Sequence, residues 1–159
     1  DNVLVLEEKE PVHLEKEIAD VVHFSNMEGI LDIRHAIGNY MNRLLIASKG
    51  SFFCIQKECI KLLSEVLTSS PEIRWNVEEC FREDPYVALL HCREPLEMQS
   101  ILLDICGQMR TYKQRQCQKK GKRVIEKAKQ YIKEHYKEEQ LNLSQVSEAI
   151  GLSLSLIHI

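Results

Sequence analysis

Six cysteines and six histidines are the residues of this chain best suited to chemistry, and their spacing decides whether metal or nucleophile chemistry is open to it. Cys54 and Cys59 lie five positions apart, wider than the usual paired zinc knuckle, and no matching pair follows. His91 and Cys92 are adjacent, so on a helix they point away from one another. His13, His23, His35, His135 and His158 share no ligand spacing. The acid pairs Glu7/Glu8, Glu15/Glu17 and Glu78/Glu79 have the pattern of solvated faces, with nothing beside them to raise one carboxyl into a general acid. Glycines do not cluster into a phosphate-cradling loop. Neither a catalytic set nor a metal or cofactor site is expected, and an enzymatic role is not expected.

The other chemistry on offer is charge. Residues 1–109 hold 10 Lys/Arg against 19 Asp/Glu, whereas residues 110–137 hold 11 Lys/Arg against only Glu126 and Glu134. A switch this sharp predicts two functional units. Lys119, Lys120, Lys122 and Arg123 sit at its centre as candidate contacts to a phosphate backbone. The plainer reading of the same run, a solvated linker and helix face, stands beside it.

Positioning such residues falls to helices. Gly (6) and Pro (4) are scarce in 159 residues, which disfavours architectures built on many tight turns, and 44% hydrophobic content supports a core. The thiols sit among apolar residues, as in Phe53-Cys54-Ile55, so free and mostly buried cysteines are expected rather than a disulfide framework. No apolar run approaches the length of a membrane span. Asp1–Glu10 carries four acids and lacks the basic-apolar start of a signal peptide, so a cytoplasmic location is expected. The absence of an initial Met leads us to expect a piece excised from a longer parent.

The fold class expected is mainly α. Asn2–Leu6 reads as a short strand or an extended lead-in. From His13 the pattern is helical, with Leu14, Ile18, Val21 and Val22 on one face and Glu15, Lys16, Glu17 and Asp20 outside it. A second helix is predicted over Ile30–Ala47, from Ile30, Ile33, Ile37, Met41, Leu44 and Leu45. A third, Phe52–Leu67, follows the Lys49-Gly50-Ser51 break and stops at Ser69-Ser70-Pro71. Within Glu72–Asp84, Trp75, Val77, Cys80 and Phe81 mark a short helix, and Tyr86–Cys92, bracketed by Pro85 and Pro95, is expected to form another short turn of structure. Leu96–Cys117 is the longest candidate helix. Its Met98, Leu102, Ile105, Met109 and Tyr112 advance by 4, 3, 4 and 3, the spacing of a coiled-coil dimer seam. Because Ile101, Leu103 and Cys106 broaden that stripe, an amphipathic helix packed on its own domain fits equally. Gln114–Gly121 reads as a polar joint.

Beyond the joint, Val124, Ile125, Ala128, Tyr131, Ile132, His135 and Tyr136 line one side of a helix. A Leu141-Asn142-Leu143-Ser144 cap then leads to Val146, Ala149, Ile150 and a Gly151-Leu152-Ser153 turn. Joined in this order, these features resemble the opening of the AraC/XylS-type DNA-binding domain. The matching positions are Ile125, Ala128, Tyr131, Ile132, Tyr136, Leu141, Leu143, Ser144, Val146, Ala149, Gly151, Leu152, Ser153 and Ser155. The resemblance implies that Val124–Tyr136 is a scaffolding helix and Ser144–Ile150 the first helix of a helix-turn-helix, with Gly151 in its turn. A recognition helix would start near Ser153 and enter the major groove. Leu156-Ile157-His158-Ile159 departs from the family pattern, so the helix-turn-helix domain is expected to be truncated here. More weakly, residues 10–120 resemble the helical region that precedes this domain in YesN-type two-component response regulators, which implies a receiver or sensor domain upstream.

The organisation expected is therefore a helical, bundle-like regulatory domain over residues 1–117, a basic linker over 118–123, and a partial DNA-binding domain over 124–159. DNA is the expected partner of the parent, with weak or no binding by these residues alone, and a homodimer is a further expectation. An alternative function for the first part is a non-enzymatic dimerisation or ligand-sensing module.

Overall fold

Early helix-forming residues are spaced to bury one face, and the structure follows them closely. In the computed structural model, residues 12–135 are described, together with Glu148 and Gly151. Among these the regular elements are all helices: α1 (Glu15–Ser25), α2 (Ile30–Ala47), α3 (Phe52–Thr68), α4 (Pro71–Arg74), α5 (Val77–Cys80), α6 (Pro85–Leu90) and α7 (Pro95–His135). The protein is thus mainly α. It divides into two compact units, Asp1–Arg110 and Thr111–Ile159.

The core of the first unit comes from the predicted stripes, with three changes. Ile33, Ile37, Met41 and Leu44 are buried on α2, as the period requires, but so are Ala36 and Tyr40, while Ile30 and Leu45 are exposed. On α3, Ile55, Cys59, Leu62, Leu63 and Val66 are buried. On α1 the buried residues are Glu17, Val21 and Ser25, so Glu17, expected outside, faces inward. Its carboxylate meets the Arg43 Nε at 3.2 Å, which supplies the partner that a buried charge requires.

Turn chemistry explains where the helices stop. After α2 the chain reverses through Lys49 at φ 53° and Gly50 at φ 76°, a left-handed conformation that glycine adopts without steric cost. The Gly50 N–H donates to the Leu45 carbonyl at 3.2 Å, satisfying an acceptor left over at the helix end. Ser51 then caps α3 by accepting from the Cys54 N–H. Pro71 and Pro85 open α4 and α6, where the missing N–H costs nothing. Asp84 caps α6 by accepting from the Tyr86 N–H at 2.9 Å.

Side-chain hydrogen bonds hold these helices in register. The Tyr40 hydroxyl donates to the Glu58 carbonyl at 3.0 Å in a buried setting, joining α2 to α3. Asn26, just past α1, donates to the Ser69 hydroxyl at 2.9 Å at the end of α3. Ser64 and Tyr86 share a hydrogen bond of 2.9 Å between α3 and α6. The start of α7 belongs to the same unit: Cys80 Sγ approaches the Gln108 carbonyl at 3.9 Å, and the Arg110 guanidinium reaches the Gly29 carbonyl at 3.4 Å.

Two further expectations change. The single short helix expected within Glu72–Asp84 is replaced by two single turns, α4 and α5, and the core anchors there are Ile73 and Phe81; Trp75 is 77% exposed, under the Arg74 guanidinium. The joint predicted over Gln114–Gly121, and the linker over 118–123, are helical throughout as part of α7. Physically, Cys117 and Gly121 are the only weak helix formers in a run otherwise of Lys, Arg and Gln, and one internal glycine costs only about 1 kcal/mol relative to alanine.

Core substitutions should divide accordingly. Leu62→Ala, at a site with no exposed surface, is expected to cost about 2–5 kcal/mol in urea unfolding. Tyr40→Phe should cost about 1 kcal/mol by removing the buried hydrogen bond from its hydroxyl to the Glu58 carbonyl, while Ile46→Ser on the 79%-exposed position should stay within about 0.5 kcal/mol.

Candidate nucleic-acid interface

Basic residues of the second unit lie on a helix, and the helical turn, not their order in the chain, decides which of them act together. Lys119, Lys120, Lys122 and Arg123 are neighbours in sequence, yet at 3.6 residues per turn they fan out over about 160° of α7, from Lys122 through Lys119 and Arg123 to Lys120. Lys119 and Lys122 share one side with Arg115, Lys129 and Lys133. Lys120 and Arg123 share another with Lys127. All are exposed except Lys120, which is half-buried.

Opposite the side of Lys119, Lys122, Lys129 and Lys133 lies a partly covered face. Val124, Ala128, Tyr131 and His135, advancing by 4, 3 and 4, are half-buried, and the Tyr131 and His135 rings stack with centroids 4.3 Å apart. Ile125 and Ile132, also predicted on the apolar side, are exposed at 56% and 43%. Tyr136, Leu141, Leu143, Ser144, Val146, Ala149, Leu152, Ser153 and Ser155 lie outside the described residues. Gly151, assigned to a turn by the sequence, has helical backbone and is exposed.

The five residues proposed for a dimer seam tell a different story. Met98 and Met109 have no exposed surface, Leu102 and Ile105 expose 3%, and Tyr112 exposes 8% within the single chain. A seam needs its apolar residues free in the monomer, so Met98, Leu102, Ile105 and Met109 form an internal packing face of the first unit. The breadth added by Cys106, itself buried, was the sequence signal for that outcome.

Thiol and imidazole chemistry gains little from the fold. All six cysteines are free, three of them (Cys59, Cys92 and Cys106) buried and Cys117 exposed. Burial pushes the Cys59 thiol up from 9.0 to about 12, next to the Met41 sulfur at 3.7 Å. Cys92 is likewise raised by burial and donates to the Ala88 carbonyl at 3.5 Å, opposite to the lowered pKa of a working thiolate. Beside it is an open cleft of about 450 Å³ lined by Glu83, His91, Glu97 and Ser100 among others. Its closest charged pair, His91 Nδ1 and Glu83, is 3.9 Å apart and solvent-exposed. Among the described residues no group of three metal-ligating side chains converges, and no helix is long and apolar enough to cross a membrane. No family model, curated protein or solved structure matches the chain.

Two outcomes test this account. Leu102→Ala should lower stability by about 2–5 kcal/mol while leaving the mass in sedimentation equilibrium unchanged; a fall in mass with stability intact would restore the seam. At about pH 8 alkylation should reach Cys117 while Cys59 stays protected until unfolding. Because the Cys59 thiol titrates higher folded than unfolded, its contribution to stability is full below pH 9.0 and is lost as pH rises toward about 12.

Proposed function

We propose that the chain belongs to a sequence-specific DNA-binding transcription regulator. In this reading the helical module of residues 1–117 relays a signal or dimerisation state to an AraC-type DNA-binding domain that opens at Val124, and the protein works in the cytoplasm without catalysing a reaction. The observation that carries the proposal is the division of the helix over 111–135: a half-buried side through Val124, Ala128, Tyr131 and His135, and exposed cations on the rest. A scaffolding helix of a DNA-binding domain requires both, one side to pack its neighbours and one to meet phosphate. Ala128 and Tyr131 are among the positions that carry the family resemblance, and both fall on the half-buried side. Exposure of Ile125 and Ile132 fits less simply, since the resemblance assigns both to the apolar face.

Fluorescence anisotropy with short duplexes of varied sequence tests the reading. Residues 1–159 should bind duplex DNA in the non-specific range, about 10⁻⁴–10⁻⁶ M, with affinity falling steeply between about 50 and 200 mM salt. Absence of salt-dependent duplex binding by the full-length parent overturns the assignment. Tight binding that selects one sequence would instead overturn the view that Val124–Ser155 corresponds only to the opening of the domain.

A further inference from the structure

Six consecutive heptad-spaced positions on α7 form one exposed stripe: Arg115, Lys119, Lys122, Glu126, Lys129 and Lys133, advancing by 4, 3, 4, 3 and 4. Five of the six are cations. None of the five is joined in an ion pair among the described residues, although Glu126 stands three or four positions from Lys122 and Lys129. At 1.5 Å per residue the stripe runs about 27 Å. That length matches about eight base pairs of duplex, whose strands each present a phosphate every ~3.4 Å along the axis.

We infer that this stripe is a phosphate-tracking surface for duplex nucleic acid, with Arg115, Lys119, Lys122, Lys129 and Lys133 as its contacts and Lys120, Arg123 and Lys127 outside it. The inference deepens the DNA-binding reading and rests on it for the identity of the polyanion. Three features select a duplex. A single strand is held by aromatic platforms set between the cations, and the stripe has none. A membrane-surface helix needs a broad face of Trp, Phe or Leu, and residues 111–135 contain none of these. The apolar residues Val124, Ala128 and Tyr131 are already partly covered, which leaves too little for insertion. Glu126 acts within the stripe as a local repulsive charge that lowers affinity for phosphate.

The test compares two triple variants with identical charge change. Lys119→Gln/Lys122→Gln/Lys129→Gln removes stripe cations, and Lys120→Gln/Arg123→Gln/Lys127→Gln removes the others. Binding to a 12-base-pair duplex of arbitrary sequence is followed against salt. With all five contacts made, the slope of log K against log salt is about −4.5, and the stripe variant should lose about 2.7 of it, the control variant less than about 1. Glu126→Gln should move the titration to lower protein concentration, a gain that a misfolded variant would not give. Lys119→Arg/Lys122→Arg/Lys129→Arg should keep the slope. Equal losses in the two triple variants overturn the stripe, as does an unchanged or weakened titration for Glu126→Gln. Cosedimentation with phosphatidylglycerol vesicles that depends on the stripe more strongly than duplex binding does assigns it to a membrane and overturns the inference. Equal losses in the two triple variants sink the stripe alone and leave the regulator reading standing, whereas absence of salt-dependent duplex binding by the full-length parent sinks that reading.

Discussion

Tyr40 occupies the interior of the first unit with no exposed surface, and its hydroxyl donates to the Glu58 carbonyl at 3.0 Å. A phenol buried without a partner costs free energy comparable to a lost hydrogen bond, so α2 and α3 cannot slide past each other without stranding it. The same register brings Met41 against Cys59 and lifts both the Tyr40 hydroxyl and the Cys59 thiol above their ordinary pKa values by burial. Around this pair the remaining fastenings are arranged at the helix ends: Asn26 to Ser69, and Ser64 to Tyr86. The apolar stripe of Met98, Leu102, Ile105 and Met109 completes the core.

Charge is distributed on a different principle from packing. Within the first unit, buried acids have neighbours of opposite sign: Glu17 meets Arg43 at 3.2 Å and Glu58 lies 3.5 Å from Lys61. In the second unit Arg115, Lys119, Lys122, Lys129 and Lys133 lie exposed on α7 and join no ion pair among the described residues. A helix with such self-repulsion gains nothing from it in stability, since like charges at i, i+4 are mildly destabilising. Retaining Lys129 and Lys133, or Arg115 and Lys119, at that spacing makes sense where an outside anion offsets the repulsion.

Much of the fold was legible because helical period and breakers agree. The bounds of α2 follow from Ile33, Ile37, Met41 and Leu44, and those of α3 from Gly50-Ser51 at one end and Ser70-Pro71 at the other. What escaped was decided by partners distant in sequence. Nothing near Glu17 announces that Arg43 will receive it, and α4, a single turn long, has no period from which the burial of Ile73 rather than Trp75 could be read. The polar stretch Gln114–Gly121 resembles a joint by composition, yet its residues are good helix formers apart from Cys117 and Gly121. A polar run marks the absence of a buried face, which a joint and an exposed helix have in common.

The basic segment illustrates why adjacency misleads on a helix. Lys119, Lys120, Lys122 and Arg123 look like one patch in sequence, and a disordered linker would let all four gather on a phosphate. Once the segment is helical, neighbours separate by about 100° each, and the grouping passes to residues three and four apart. The run thereby exchanges a compact patch for a line that reaches from Arg115 to Lys133. A compact patch suits one phosphate group, whereas a line of cations suits a repeating polyanion. The secondary structure of these residues, more than their number, sets the kind of partner that the charge can recognise.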